Sequence, residues 1–255
     1  MQLATGNLPA VQADFANRVE HFRRDCDGDG TARSQAAQEL FTLRWGPTDV
    51  PIYNLLGLSS ELFPHKRAQQ LEIARWLTMV AKVPVNGTDA SGTTALAHAI
   101  STHPAFDPEL AQILYEAGGD VNLRNRYGAT PAHAMCMILS LDRKDLQKSE
   151  EALAWFMTHG GNVDVKDGDG FTARVIAGLA AKKLASKGGN KLLEALEKEE
   201  KRREQRKDTC CTFCGREDSK LLLCGRCKKA KYCEPSGRQC QKIDWPRHKS
   251  GCKST

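Results

Sequence analysis

Seven cysteines and a histidine crowd the C-terminal end of this 255-residue chain, at Cys211, Cys214, Cys224, Cys227, Cys233, Cys240, His248 and Cys252. Cys210 sits beside the first of them, and Cys26 and Cys136 stand alone far upstream. Thiolate and imidazole are the donors that zinc takes. A Cys-x2-Cys turn puts two thiolates on one metal, and this turn occurs twice, at Cys211–Cys214 and Cys224–Cys227. Tetrahedral zinc needs four ligands, so eight ligands suit two ions. With every position filled by protein, such sites are structural and leave no open coordination for catalysis. A module of this size also lacks the apolar core to fold alone, so metal must supply its folding energy.

The order of these ligands carries a resemblance. Lys231-Tyr232-Cys233, then Cys240-Gln241 and Asp244-Trp245, then His248-Lys249 and Cys252, resemble a MYND zinc finger over residues 211–252. The resemblance implies interleaved sites. Cys211, Cys214, Cys233 and Cys240 hold one zinc in that family's pattern, and Cys224, Cys227, His248 and Cys252 hold the other. Cys210 is then a spare thiol. The family also binds short proline-containing peptides, and the resemblance assigns that role to Gln241 and Trp245, four residues apart on one helical face.

The chain departs from the family in having six residues, 234–239, between Cys233 and Cys240. In a continuous helix that spacing would separate the two thiols by about 10 Å along the axis. Bonds of about 2.3 Å cannot bridge that gap. The reading is that 234–239 is not continuous helix, that Pro235, Ser236 and Gly237 form a loop, and that both zincs still bind. Residues 241–249 are expected to form a short helix.

The upstream chain repeats itself. Asp89 to Gly92 and Thr94, Asn125 to Gly128 and Thr130, and Asp167 to Gly170 and Thr172 align as a polar turn, a glycine and a threonine. An alanine-rich apolar run follows each. Glycine permits the positive φ of a tight turn, and threonine caps the helix that follows. Pro131 stands where a missing N–H costs nothing. Helically spaced apolar residues precede each turn: Ile73 and Leu77, then Leu110, Ile113 and Leu114, then Leu153, Phe156 and Met157. The turn glycines lie 36 and 42 residues apart, and Asn86, Asn122 and Asp164 keep the same intervals.

This pattern resembles the ankyrin repeat, and Thr130-Pro131-Ala132-His133 matches that family's helix start best. His98 is displaced by one position, and the third segment has no histidine. The resemblance implies three units over residues 70–180, with the excess length inserted near 101–108 and 137–150. Stacked helix pairs leave a concave surface of the kind that binds proteins. His98, His103 and His133 read as helix-start hydrogen-bonders or surface groups, and Trp45 and Trp76 as core. Residues 1–69 contain helical stretches at 7–12 and 36–43 and read as a cap or as degenerate repeats.

Two other patterns fail. Asp25-Cys26-Asp27-Gly28-Asp29-Gly30 opens like a calcium loop, but position twelve, which needs a bidentate glutamate, is Ala36. No nucleophile elbow, phosphate loop or His-Glu-x-x-His motif occurs, so no enzyme chemistry is expected. Residues 181–207 read as a charged helical linker with a short Leu192, Leu193, Leu196 stripe. Its Lys201-Arg202-Arg203 and Arg206-Lys207 cluster reads as a solvated face, with a nuclear-localisation patch as the alternative.

The formal charge is +6, with residues 1–180 at −5 and 181–255 at +11. Seven thiolates and two zinc dications lower the whole-chain figure to +3. That weakens a nucleic-acid reading, which needs basic residues gathered to neutralise phosphates. No run of about 18 apolar residues marks a membrane span. The start of the chain lacks the basic start and apolar stretch of a signal peptide, so the protein is expected to stay inside the cell, in cytoplasm or nucleus.

The expectation is therefore a mainly α chain: an N-terminal cap over 1–69, an ankyrin solenoid over 70–180, a linker over 181–207 and a two-zinc finger over 208–255. Its expected role is a non-enzymatic adaptor, possible in transcriptional regulation, that binds one protein on the repeats and a proline-containing peptide on the finger. The alternatives are a relative of the lysine methyltransferases that carry MYND fingers, and a basic nucleic-acid-binding protein.

Overall fold

The computed structural model describes residues 3–24, 28–101, 106–137, 142–183, 191–213, 217, 220–234 and 237–253. The chain is mainly helical and divides into two compact bodies at Pro131/Ala132.

The first body opens with α1 (Leu8–Arg23) and α2 (Asp29–Thr42), packed on each other. Asn7 caps α1, its Oδ1 accepting from Ala10 N at 3.1 Å. Val11, Phe15 and Val19 recur every four residues and form the buried stripe of α1. Ala32, Ala36, Ala37 and Leu40 face inward from α2, and their small side chains permit close helix approach. This burial closes the calcium question from the structural side. Ala36 is fully buried where the twelfth ligand would stand, and Asp29 is paired with Arg23. Asp25, Cys26 and Asp27 lie outside the described residues.

A hairpin then leads to α3 (Ile52–Leu62) and, through one 3-10 turn, to α4 (Arg67–Met79). Trp45 and Val50 exchange both backbone hydrogen bonds at 3.0 Å. The same plan recurs with α5 (Ala95–Ser101) and α6 (Pro108–Glu116), with α7 (Pro131–Cys136) and α8 (Arg143–Thr158), and with α9 (Ala173–Lys183) and α10 (Lys191–Gln205). Among the described residues there are thus four hairpin-and-helix-pair units. The repeat expected from sequence is present. The upstream stretch at 45–79 follows the same plan without the turn signature, so it is a degenerate unit.

One side-chain device shapes three of the hairpins. Asp89 Oδ1 accepts from Ser91 N and Thr93 N at 2.9 and 3.0 Å. Asn125 Oδ1 accepts from Tyr127 N and Ala129 N, both at 3.0 Å. Asp167 Oδ1 accepts from Asp169 N and Phe171 N at 3.0 and 2.9 Å. Each is an Asx turn, which explains why only Asp or Asn occupies the position. Thr94 and Thr172 then cap α5 and α9 through Oγ1, at 3.1 and 3.2 Å.

Gly92 shows why glycine ends the turn. Its φ is +78°, and a Cβ there would lie 2.8 Å from Arg126 N, whose own hydrogen bond runs to Ser91 O. Gly92→Ala is expected to destabilise the first body by about 2 kcal/mol or more, from left-handed strain and crowding together. Chemical denaturation followed by circular dichroism measures it.

Trp76 is half-buried and packs edge-on against Phe15 at 5.5 Å between centroids, and Trp45 is also only half-buried. Neither is the full core residue expected. His98 Nε2 donates to Asp89 Oδ2 at 2.8 Å, and His133 is buried with its Nε2 3.2 Å from Phe171 O. His103 lies outside the described residues.

In the second body, the extra length near 137–150 is mostly helix. Residues 143–150 form the first two turns of α8, which reaches 16 residues. The largest difference from expectation is at 191–205. These residues are not a spacer, because α10 packs on α8 and α9 as the outer helix of the last unit. Leu192, Leu196 and Glu199 are buried. Glu199 pairs with Arg202 at 2.7 Å and lies 3.8 Å from Arg203 and from Arg206. A buried carboxylate is tolerated only when paired in this way. The basic cluster is therefore partly committed to the protein itself. Strands β1 (Leu221–Leu223) and β2 (Lys231–Cys233) and helix α11 (Gly237–His248) complete this body.

Candidate metal centre

The ligand-bearing segment is built on a two-stranded antiparallel sheet, in which Leu221 pairs with Cys233, Leu222 with Tyr232 and Leu223 with Lys231. Thr212 fastens the segment that carries Cys211 to this sheet. Its N donates to Lys231 O at 2.7 Å, and its Oγ1 accepts from Lys231 N at 2.9 Å. Cys233 ends β2 and Cys240 lies in the first turn of α11. His248 is the last residue of that helix, and Cys252 follows one turn later.

Two groups result. Cys224, Cys227, His248 and Cys252 form one, and Cys211, Cys233 and Cys240 form the other. Within each group all donor atoms lie within 4.8 Å of one another. Cys214 lies outside the described residues. The two groups alternate along the chain, so neither closes without the other's segments in place.

The distances have the right size. Cys224 Sγ lies 3.9 Å from Cys252 Sγ, and Cys233 Sγ lies 3.9 Å from Cys240 Sγ. Cys227 Sγ lies 3.6 Å from His248 Nε2. Tetrahedral zinc with bonds of about 2.3 Å to sulfur and about 2.0 Å to nitrogen needs S···S near 3.8 Å and S···N near 3.5 Å. A disulfide would need about 2.05 Å, and the described cysteines form none. The residues present therefore fit zinc, and the two groups can hold two ions.

The electrostatics prepare thiolates. Backbone N–H groups of Cys227, then of Arg226, hold the Cys224 thiol down to about 6 despite its burial. The N–H groups of Ala230 and Lys229 lower Cys227 in the same way. Such turns of converging amides favour anions, and thiolate is the metal-binding form. Desolvation pushes Cys252 up to about 11, with hydrogen bonds to Cys224 and Cys227 adding to it. Burial alone would lower His248, but hydrogen bonds to Cys224 and Cys227 outweigh it. Gln241 Nε2 donates to Cys224 Sγ at 3.6 Å.

The long Cys233–Cys240 interval is not continuous helix, because Cys233 ends β2 and Cys240 belongs to α11. Glu234 is a turn residue whose N donates to Lys220 O at 2.7 Å, and α11 starts only at Gly237. Gly237 is thus helical and not part of the expected loop, while Pro235 and Ser236 lie outside the described residues. The expected helix at 241–249 begins four residues earlier and ends at His248. It also tolerates Pro246, which has no N–H to give to the helix ladder.

One supporting pair was not singled out from sequence. Tyr232 OH donates to Asp244 Oδ2 at 2.8 Å, and both residues are buried, joining β2 to α11. The alternating Lys-Tyr-Cys run signals an inward tyrosine, but nothing local signals its partner twelve residues on. Trp245, by contrast, is 39% exposed. It is not a core residue, although its ring centroid lies 6.0 Å from that of His248.

With this geometry in hand, the comparison with known proteins is specific. Residues 211–252 match the MYND finger. Over the MYND finger the chain is 50% identical to "N-lysine methyltransferase SMYD2" of Sus scrofa across 42 residues, 16% of this chain and 9% of that protein. It is 48% identical to "N-lysine methyltransferase SMYD2-B" of Xenopus laevis across 44 residues, 17% of this chain and 10% of that protein. The chain thus spans about a tenth of the length of these curated relatives, and what is shared is the MYND finger alone. An ankyrin repeat domain from Acinetobacter baumannii superposes with a TM-score of 0.45 at 16% identity, over 68% of this chain and 76% of that one. No helix among the described residues is long and apolar enough to cross a membrane.

Proposed function

We propose that this protein is a non-enzymatic interaction adaptor, in which the repeats take one protein partner and the MYND finger takes a proline-containing peptide. The observation that supports it most is the finger itself. Its described metal donors are drawn into a group of four and a group of three; the MYND resemblance supplies Cys214, outside the described residues, as the fourth donor of the second group, and with it each zinc would be fully ligated and structural. What remains for function is the surface. Trp245 is exposed, and so are Leu222 and Leu223 at 43% and 53%. An aromatic face of this kind suits proline rings.

The repeats supply a second surface. A cavity of about 850 Å³ in the first body is walled by the hairpins at 48–50 and 89–91 and by α3, α5 and α6. Val50, Leu58, Phe106 and Leu110 line it beside Glu61, Arg67 and Arg126. Apolar walls with a few charged groups at the rim are what a protein partner's side chains need.

Trp245→Ala tests the finger's part. Against a synthetic proline-rich peptide, calorimetry is expected to show affinity reduced about thirtyfold, as for an exposed aromatic anchor. Zinc content should stay at the wild-type value. Unchanged affinity would remove Trp245 from the peptide site. The methyltransferase reading is favoured only by the names of the relatives, which share the finger. Incubation of the full chain with a methyl donor and lysine peptides is expected to give no transfer, and transfer would overturn the adaptor reading.

A further inference from the structure

We infer that the zinc finger is the C-terminal cap of the last repeat, and that its metal holds the α8–α10 helix pair in place. This rests on the two-zinc reading of the finger.

The finger's core is poor in carbon. Of its ten clustered buried residues six are cysteines, and the finger's other members are only Phe213, Ala230 and Tyr232. The tenth is Val165, which belongs to the repeat, in the segment that joins α8 to the last hairpin. The repeat thus donates an apolar side chain to the finger, and the finger covers it.

A hydrogen bond fixes the same junction. Asn162 Nδ2 donates to Phe213 O at 2.8 Å in a buried setting, while its Oδ1 accepts from Asp164 N at 2.8 Å. Losing the finger would expose Val165 and strip Asn162 of this partner.

Arg203 carries the junction into α10. Its guanidinium donates to Met157 O, in the last turn of α8, at 2.8 Å and to Gly161 O in the turn that follows. Arg206 then pairs with Glu217 of the finger at 2.6 Å. Contacts therefore run from the end of α8, through α10, into the metal-dependent segment. The last unit of a repeat array has no following repeat to cover it and needs a cap of another kind. Here the cap folds only with metal, so the stability of the last repeat follows zinc occupancy.

Hydrogen exchange on the full chain decides this, with elemental analysis confirming that a chelator has removed the zinc. Chelation is expected to raise exchange about tenfold or more in 191–205 and 153–158, as well as in 221–252, and added zinc should restore all three. Loss of protection confined to 221–252 once the zinc has left would overturn the inference and leave the two-zinc reading standing. A chain that carries no zinc before chelation would overturn both. A second arm uses Asn162→Ala. It should keep its zinc, while the response of 191–205 to chelation shrinks. A wild-type response in that variant would place the coupling elsewhere and contradict the junction described. Should the variant fail to fold, the unmodified chain still decides.

Discussion

Exchange of His248 for alanine is expected to strip one zinc from each chain and to unfold the finger. Structural zinc sites in small fingers contribute about 10–16 kcal/mol of apparent binding energy near neutral pH, far more than a three-residue apolar core can replace. His248 is one of four donors in its group, and it closes α11 onto Cys227 at 3.6 Å. Because the two groups alternate along the chain, disorder at one must loosen the other. The measurement is elemental analysis with near-ultraviolet circular dichroism. The expected result is a loss of at least one zinc and of the finger's aromatic signal from Tyr232. Acid should act in the same direction. Cys224 has its thiol held down to about 6, so its contribution is present above the ordinary thiol range and is lost as pH falls through that value. Protons then compete for every donor, and zinc release is expected below about pH 6. Raising the pH to about 9 should release none, because the metal binds the deprotonated thiol.

Replacement of Phe156 by alanine is expected to cost about 3–5 kcal/mol, the range for a large aromatic removed from a packed core. Phe156 is wholly buried on α8, in the body where α10 packs on that helix. Its ring lies against Gly161, where a Cβ would meet ring carbons at 2.2–2.5 Å. Gly161→Ala should therefore also destabilise, through overpacking, by about 1–3 kcal/mol. The two changes have opposite volumes and one direction of effect. Urea unfolding midpoints measure both, and a Phe156→Ala chain as stable as wild type would show that α8 is not packed as described.

The parts legible in the sequence were those with a fixed local grammar. A left-handed turn demands glycine, an Asx turn demands Asp or Asn, and a helix start accepts threonine. Hence Gly92, Gly128 and Gly170 announced three hairpins. Metal ligands are equally legible, because thiols and an imidazole at this turn spacing match the donor set and geometry of zinc. The hairpin at Trp45–Val50 escaped notice because it is closed by backbone bonds, with no Asp-to-Gly signature. The docking of helix α10 is hidden for a different reason. A run rich in Lys, Arg and Glu looks solvated, yet three inward positions, Leu192, Leu196 and Glu199, suffice to dock it. A buried glutamate held by arginines of its own helix carries the same sequence pattern as a solvated ion-pair face. Likewise Asn162, Val165 and Arg203 look like ordinary loop and surface residues, because their partners lie tens of residues away. In the finger, bond lengths exclude continuous helix over 234–239, but the start of α11 at Gly237, within the inserted residues, has no signal in the sequence.

The central claim is that residues 211–252 form two complete zinc sites in this chain despite the long Cys233–Cys240 interval. Zinc stoichiometry of the purified full chain, by elemental analysis against protein concentration, tests it directly. Two zinc ions per chain is the expected value. One ion per chain, retained in a Cys240→Ser variant, would show that the stretched site does not form, and none would contradict the account.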